Sequence, residues 1–425
     1  MKTLASIAAE LQGYDPQALP ASSVNDFLSR LVEPVATLET TGIFQSLGRV
    51  LGHDVISPIS VPPHDNSAMD GYAFDGAQLA LPAGSQQALV LKVVGTAMAG
   101  KPWAGPVAAG ECLKIMTGAV LPQGLDTVVP QEFVTPLGSS ISFPANLLQP
   151  GDNRRKLGED LMQGQPALQK GDLLTPAALG LLASLGIENV AVLRKLRVAY
   201  FSTGDEILSL GEAPREGAVF DSNRYTVFGL LSRLGCEVID MGVVRDEPTL
   251  LEAAFRTAAL QADAIITSGG VSVGEADYTK LMMKQLGDVA FWKIAMRPGR
   301  PMAVGRIGKA ILFGLPGNPV AVMVTFLAFV RPALLKMMGS TLQAPPLLRA
   351  HCVEPLRKKA GRTEYQRGII SNAADGSLQV RAMGNQGSGV LSSMVRANGL
   401  IVLHHNQGHV AAGEEVDVMM FDGVI

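Results

Sequence analysis

Apolar and polar positions change their spacing several times along the chain. From residue 21 the apolar residues recur at helical intervals; Ser23 can cap a helix running to about Glu33, where Pro34 stops it. A second amphipathic stretch, Ile43 to Leu51, follows, so residues 21–56 read as helical. Between residues 57 and 150 the apolar runs shorten (ALVLKVVG, ECLKIMTGA, DTVVPQEF) and glycines and prolines recur, which predicts an all-β module with many turns. A polar, basic connector, GDNRRKLGEDLMQG, leads into LLTPAALGLLASLGIENVAVL. There Thr175 as N-cap, Pro176 at the first helical position and Gly186 past the end punctuate a helix.

From residue 191 strands and helices alternate. Strands RVAYFS, CEVIDMGVV, DAIITS and AILFGL are separated by helices predicted at Tyr225–Leu234, Pro248–Leu260 and Tyr278–Leu286, and a long helix Val320–Met338 closes the unit. This order predicts a parallel, doubly wound sheet covered on both faces. Short strands return after residue 341 and suggest a small β-barrel or sandwich. The fold class expected is therefore α/β plus all-β modules in an elongated multidomain chain. Residues 1–56 plus 151–190 form a helical domain, 57–150 an inserted β module, 191–340 the α/β domain and 341–425 a C-terminal β-barrel.

Composition narrows the class. The chain has 425 residues, 47% of them hydrophobic and 17% charged, and a net charge of -3. That fits a soluble protein of several domains and argues against a nucleic-acid-binding surface. The first residues make a poor signal peptide, and the longest apolar run, Val320 to Val330, is too short to span a bilayer. Cys112, Cys236 and Cys352 have no metal or redox spacing and read as buried thiols in the cytoplasm. The histidines of His404-His405-Asn-Gln-Gly-His409 read as a turn.

Ligands of a doubly wound sheet bind beyond the carboxyl ends of its strands. One such end is Ser268-Gly269-Gly270-Val-Ser272-Val-Gly274, followed by Glu275 and Asp277. It is neither a Walker A loop nor GxGxxG; its glycines either let backbone approach an anion or only make a tight turn. A carboxylate about 4 Å from a phosphate is repelled by roughly 4 kcal/mol at an effective dielectric near 20. A hard divalent cation removes that conflict, so Glu206, Asp246 and Asp277 are candidate Mg²⁺ ligands, with helix N-capping as the alternative for Asp246 and Asp277. The rigid loop Gly314-Leu-Pro316-Gly317-Asn-Pro319 opens a helix, and Lys293, Arg297 and Arg300 supply cations at the same sheet edge. Asp70-Gly71 by itself reads as a hairpin turn.

With these residues in place, the chain resembles the MoeA-type molybdopterin molybdenumtransferase family, to which gephyrin and plant Cnx E domains are related. The resemblance covers nearly the whole chain. It rests on nine ordered motifs: DNSAMDGYA (65–73), IMTGA (115–119), RRKLGEDL (154–161), FSTGDEI (201–207), GGVSVGEADY (269–278), KIAMRPGRP (293–301), GLPGNPV (314–320), YQRG (365–368) and QGSG (386–389).

The resemblance implies an elongated homodimer with a cleft between the α/β domain of one subunit and the β module of the other. It implies insertion of molybdenum from molybdate into adenylylated molybdopterin, with Mg²⁺ and release of AMP. A molybdopterin adenylyltransferase would be the substrate donor; no nucleic acid or membrane partner is implied. Residue by residue, it assigns Glu206, Asp246 and Asp277 to Mg²⁺ and nucleotide handling, and Asp70, Thr117 and Asp160 to the cleft. Lys293 and Arg297 match basic positions, Pro316 and Pro319 shape a loop, and Arg297, Arg300, Arg367 and Ser388 resemble a molybdate pocket. Two departures stand out: Arg297-Pro-Gly-Arg300 replaces the usual Lys-Pro-Gly-Lys, and Ala321 follows PGNPV where the family often has Ser. The alternatives are a molybdopterin adenylyltransferase, whose members are small and lack the β modules, and a non-catalytic gephyrin-like scaffold.

Overall fold

The alternating segment builds one six-stranded sheet. Its order is Glu237–Val244, Arg197–Thr203, Ala264–Ser268, Ala310–Leu315, Pro301–Ile307, Gly287–Lys293. Along Arg197–Thr203, Ala199 and Phe201 face Leu251, Phe255 and Met283, while Val198 and Tyr200 join the layer containing Val227, Leu231, Val324 and Phe329. Both faces are thus covered, as the near-continuous apolar strands require. This computed structural model describes residues 3–11, 13–80, 88–271, 278–342 and 344–422.

The first four strands are parallel. These are the four strands named from the sequence; the last two, Pro301–Ile307 and Gly287–Lys293, run antiparallel to their neighbours and are not among the strands expected from it. Ile307 pairs with Ala310 across Gly308-Lys309, and Gly308 takes φ +59°. Two residues can turn a hairpin but cannot carry a crossover helix.

Helix ends follow their caps. The helix expected from Tyr225 begins at Ser222, because the Asp221 carboxylate accepts a hydrogen bond from the Arg224 N–H at 3.0 Å. The closing helix runs Pro319–Met337 with a π-helical turn at Phe326–Val330. Its 19 residues are long and apolar enough to cross a membrane, yet 89% of that span is buried inside the protein as a core helix.

The N-terminal helices Leu4–Glu10 and Ala21–Leu31 pack on the edge of the sheet. Phe27 meets Trp292 edge to face at 4.9 Å, and the Trp292 indole N–H donates to the Tyr14 hydroxyl at 2.8 Å. No helix forms over Ile43–Leu51. Leu38–Gly42 pairs antiparallel with Asn189–Leu193, a short 3-10 turn spans Ile43–Gln45, and Gly48 at φ +72° turns the chain. Val55–Ile56 then pairs with Pro166–Leu168, and Val61 bridges Leu161. The connecting region between residues 38 and 193 is therefore tied by strand pairs, with Pro176–Ser184 as its helix.

The β module is a six-stranded sheet that includes Gly71–Phe74, Ala88–Ala97 and Glu111–Ile115. Near the C-terminus, Thr363–Asn372 pairs with both Leu378–Ala382 and Gly399–Leu403, which closes a five-strand barrel with Leu348–Cys352 and Glu415–Met420. Met296–Arg297 adds in parallel to Thr363 and Glu364 and docks the barrel on the α/β unit.

Candidate functional site

A cleft of about 730 Å³ opens at the carboxyl ends of the parallel strands. Each wall comes from a different strand end. Thr203 and Glu206 follow the first strand, and Ser268, Gly269, Gly270 and Val271 the third. Pro316, Gly317 and Asn318 follow Ala310–Leu315, and Arg297 to Gly299 enter from the docking strand. The barrel side supplies Gln386, Gly387 and Ser388.

Glycine is required at two of these places. Gly269 has φ +91°, and a Cβ there would lie 2.5 Å from the Thr203 carbonyl oxygen. Gly270 has φ +64°, and a Cβ there would lie 2.4 Å from Thr279. The strand end thus closes onto its neighbours and leaves backbone facing the ligand space.

The loops are pinned to one another. The Asn223 amide donates to the Gly317 carbonyl at 2.7 Å, and the Asn318 amide donates to Ser388 Oγ at 3.0 Å. Arg367, only 1% exposed, does not line the cleft. Its guanidinium donates to Ser393 Oγ at 3.0 Å and to the carbonyls of Asn385 and Gly387 at 3.2 and 2.9 Å. It therefore shapes the 385–388 loop from behind. Burial, and then the charge of Arg297, lower its proton affinity.

Arg297 is the cation at the mouth. Its strand partner Glu364 is buried, but Arg362 holds that carboxylate at 2.6 Å and Gln366 donates to it at 3.1 Å. Arg297 therefore has no acid partner among the described residues. An anion at this place meets a free guanidinium although the chain as a whole is acidic.

The predicted residues separate into groups. Glu206, Ser268, Gly269, Gly270, Arg297, Pro316, Gly317 and Ser388 converge on the cleft. Asp246 is not among the lining residues: Thr279 Oγ1 donates to its carboxylate at 3.2 Å, and its own N–H donates to Asp205 Oδ1 at 3.3 Å. Lys293 is held by its backbone to Pro16 and Leu19, and the Arg300 carbonyl accepts from Ile294; neither lines the cleft. Pro319 opens the helix whose first turn reaches the cleft through Ala321. Ser272 and Asp277 lie outside the described residues.

Asp70 and Thr117 meet elsewhere, on the β module. The Thr117 N–H and hydroxyl both donate to Asp70 Oδ1 at 2.7 Å. The backbone bond first, then the hydroxyl, hold the Asp70 carboxyl below its ordinary value. Asp160 is exposed, and its N–H donates to the Val61 carbonyl at 3.1 Å. Burial pushes the thiols of Cys112 and Cys236 up to about 12 and that of Cys352 up to about 11.

Sequence reasoning missed Thr203, Asn223 and Gln386. Asn223 could have been found from Phe220-Asp221-Ser222-Asn223, a strand-to-helix junction at the cleft edge. Gln386 sits in the QGSG motif, and its amide ties the Arg367 backbone in both directions at 2.9 Å.

These features define a multidomain α/β protein with an anion-accepting cleft at a parallel sheet edge, walled on one side by a β-barrel. Three family models match in order: the MoeA N-terminal region (domain I and II) over residues 22–186, a "probable molybdopterin binding domain" over 199–336, and the MoeA C-terminal region (domain IV) over 349–421. The chain belongs to the MoeA family. It is 42% identical over 399 residues to a protein of Haemophilus influenzae named molybdopterin molybdenumtransferase, covering 94% of this chain and 97% of that one. A protein of the same name from a Nostoc species is 34% identical over 414 residues, covering 94% of each. A crystal structure of the molybdopterin biosynthesis MoeA protein from Pyrococcus horikoshii superposes with a TM-score of 0.81 at 26% identity, over 95% of this chain and 100% of that one.

Proposed function

We propose that this protein is a molybdopterin molybdenumtransferase that carries out the final step of molybdenum cofactor biosynthesis. Molybdenum from molybdate is inserted into adenylylated molybdopterin, and AMP is released with the help of Mg²⁺. The observation that carries this reading is the kinship, over 94% of the chain, to a relative bearing that name.

The cleft suits the chemistry. The substrate is an anhydride between two phosphate groups, and its reactivity resides in the substrate itself, so the protein supplies position and electrostatics. The 268–270 backbone and the 316–318 turn receive the phosphate-bearing part, and Ser388 stands at the barrel wall. Arg297 orients the tetrahedral oxyanion. Of the two Arg-for-Lys departures only Arg297 lines the cleft, so with Ala321 in place of Ser that oxyanion meets one planar donor and one hydroxyl fewer.

Among the described residues no three acidic, imidazole or thiol side chains gather into a metal-binding group, so a divalent ion here would rest on Glu206 and the substrate's own phosphate oxygens. Glu206 brings carboxylate oxygen into the cleft, and Asp246 sits at the adjoining strand end, linked through Asp205. Mg²⁺ takes one or two carboxylates together with phosphate oxygens. Glu206 would hold it, with Asp246 and Asp277 as the further ligands or their supports. When bound it would neutralise charge on the phosphoanhydride.

The chain acts as a homodimer in this reading, with Asp70, Thr117 and Asp160 completing the partner's cleft. Phe44, 89% exposed, and the exposed Leu47, Met69, Leu157 and Met162 are apolar surface that a second copy would cover. The four domains run 1–56 with 151–190, 57–150, 191–340 and 341–425. A cytoplasmic location suits three unpaired, buried thiols, and a molybdopterin adenylyltransferase hands over the substrate.

The test is AMP release from adenylylated molybdopterin, with and without molybdate. Molybdate-dependent release supports the reading. Adenylate formation from ATP and molybdopterin without that release would instead identify an adenylyltransferase.

A further inference from the structure

Three hydroxyls gather under the floor of the cleft. Tyr200 Oη lies 2.7 Å from Ser268 Oγ and 2.9 Å from Ser202 Oγ, and the two serines are 3.2 Å apart. The register explains the meeting. Ser202 pairs with Ser268 across the parallel ladder, and Tyr200, two residues earlier, points to the same face. Tyr200, Ser202 and Ser268 are 1%, 1% and 3% exposed, and only Ser268 borders the cleft.

The proton inventory decides what Ser268 can do. Each hydroxyl has one proton to give and two lone pairs to receive. If the three close into a ring, every proton is used inside it and Ser268 has none for a ligand. If the chain runs Ser202 to Tyr200 to Ser268, the Ser268 proton is free to point into the cleft. In that open chain each bond polarises the next and makes the last donor stronger. Burial holds the proton on the Tyr200 phenol, so this donor is not lost by ionisation. An anionic oxygen above Ser268 favours the open chain over the ring.

We infer that Tyr200 is a positioning residue: through Ser202→Tyr200→Ser268 it turns the Ser268 hydroxyl into a directed donor to an anionic oxygen of the bound nucleotide conjugate. This rests on the proposed phosphate-bearing ligand and names a residue outside the cleft lining that sets the strength of that contact. The neighbouring Asn223 and Thr203, which do line the cleft, make no such link to Ser268.

The experiment is a double-mutant cycle on the full-length protein, with Tyr200→Phe, Ser268→Ala and the pair. AMP with Mg²⁺ is the binding probe, inorganic pyrophosphate a second, and thermal unfolding is followed alongside. Phe keeps the ring in its packed site. Tyr200→Phe is expected to weaken probe binding five- to tenfold, Ser268→Ala by at least as much, and the pair by no more than Ser268→Ala alone. A structural role would lower stability yet weaken binding equally with and without Ser268. Equal losses in both backgrounds, or unchanged affinity in Tyr200→Phe, overturn the inference while leaving the proposed function standing. If the wild-type protein binds neither probe, the phosphate-site reading and the inference fall together.

Discussion

Arg367 feels the charge of Arg297, yet only Arg297 reaches the cleft. The two arginines therefore predict different defects. Arg297→Ala removes a free guanidinium from the proposed oxyanion position and, on that reading, should raise the KM for molybdate about 10- to 100-fold, with little change in stability. Arg367→Ala leaves the Ser393 hydroxyl and the Asn385 and Gly387 carbonyls without their donor and should cost about 2–3 kcal/mol. Molybdate-dependent AMP release and denaturant unfolding on both variants separate the roles; loss of stability in Arg297→Ala with full affinity would reverse the assignment.

Two glycines of the same cleft should respond oppositely to alanine. At Gly269 a Cβ meets backbone 2.5 Å away and the φ is left-handed, so Gly269→Ala should cost about 1–3 kcal/mol and displace the Thr203 strand end. At Gly317 nothing lies within 4 Å, so Gly317→Ala should fold with stability within about 0.5 kcal/mol of wild type. Urea midpoints for the two variants check the contrast. Any loss of AMP release in Gly317→Ala then reports close approach of the ligand to that backbone.

The cleft was legible in the sequence where chemistry and strand ends coincide. Glu206, Ser268 to Gly270 and the Pro316-Gly317 turn each follow an apolar run readable as a buried strand, and Arg297 stood out as a cation of the Arg-Pro-Gly-Arg stretch. What stayed hidden depended on packing. The apolar run before Gly308 has the look of any strand, and only the shortness of its turn makes it antiparallel. Arg367 reads as a ligand-facing cation because its burial, and the carbonyls it serves, come from the closure of the barrel. The helix expected over Ile43–Leu51 has an amphipathic pattern, but pairing of Leu38–Gly42 with Asn189–Leu193 is a long-range event that no local pattern announces.

The Asp70 carboxyl should titrate below an ordinary aspartate, because the Thr117 N–H and hydroxyl both donate to the charged form. Thr117→Val keeps the backbone donor, which is the larger cause, and removes the hydroxyl. The Asp70 titration should therefore move only part of the way back toward the ordinary aspartate value of 3.8. Carboxyl-resolved NMR titration reads this; a full return would mean that the hydroxyl alone sets the shift.

Arg194 and Asp263 join the connecting region to the α/β sheet. The guanidinium donates through both terminal nitrogens to the two carboxylate oxygens at 2.7 and 2.6 Å, and the Arg197 N–H adds a third bond at 2.9 Å. Burial raises the Asp263 carboxyl, but the bonds from Arg194 and Arg197 outweigh it and the net shift is downward. A lowered carboxyl stabilises the fold above its unfolded-state value and stops doing so as pH falls through the folded-state value. Asp263→Asn should cost about 2 kcal/mol at neutral pH, since the pair is mostly shielded from solvent and bidentate. The gap between wild type and variant should stay constant from about pH 8 to about pH 5 and shrink below about pH 4, where the wild-type carboxyl takes up its proton. Unfolding free energies across that range test the pair, and a gap undiminished at the acid end would show that Asp263 stabilises the joint by shape and neutral hydrogen bonding rather than by charge.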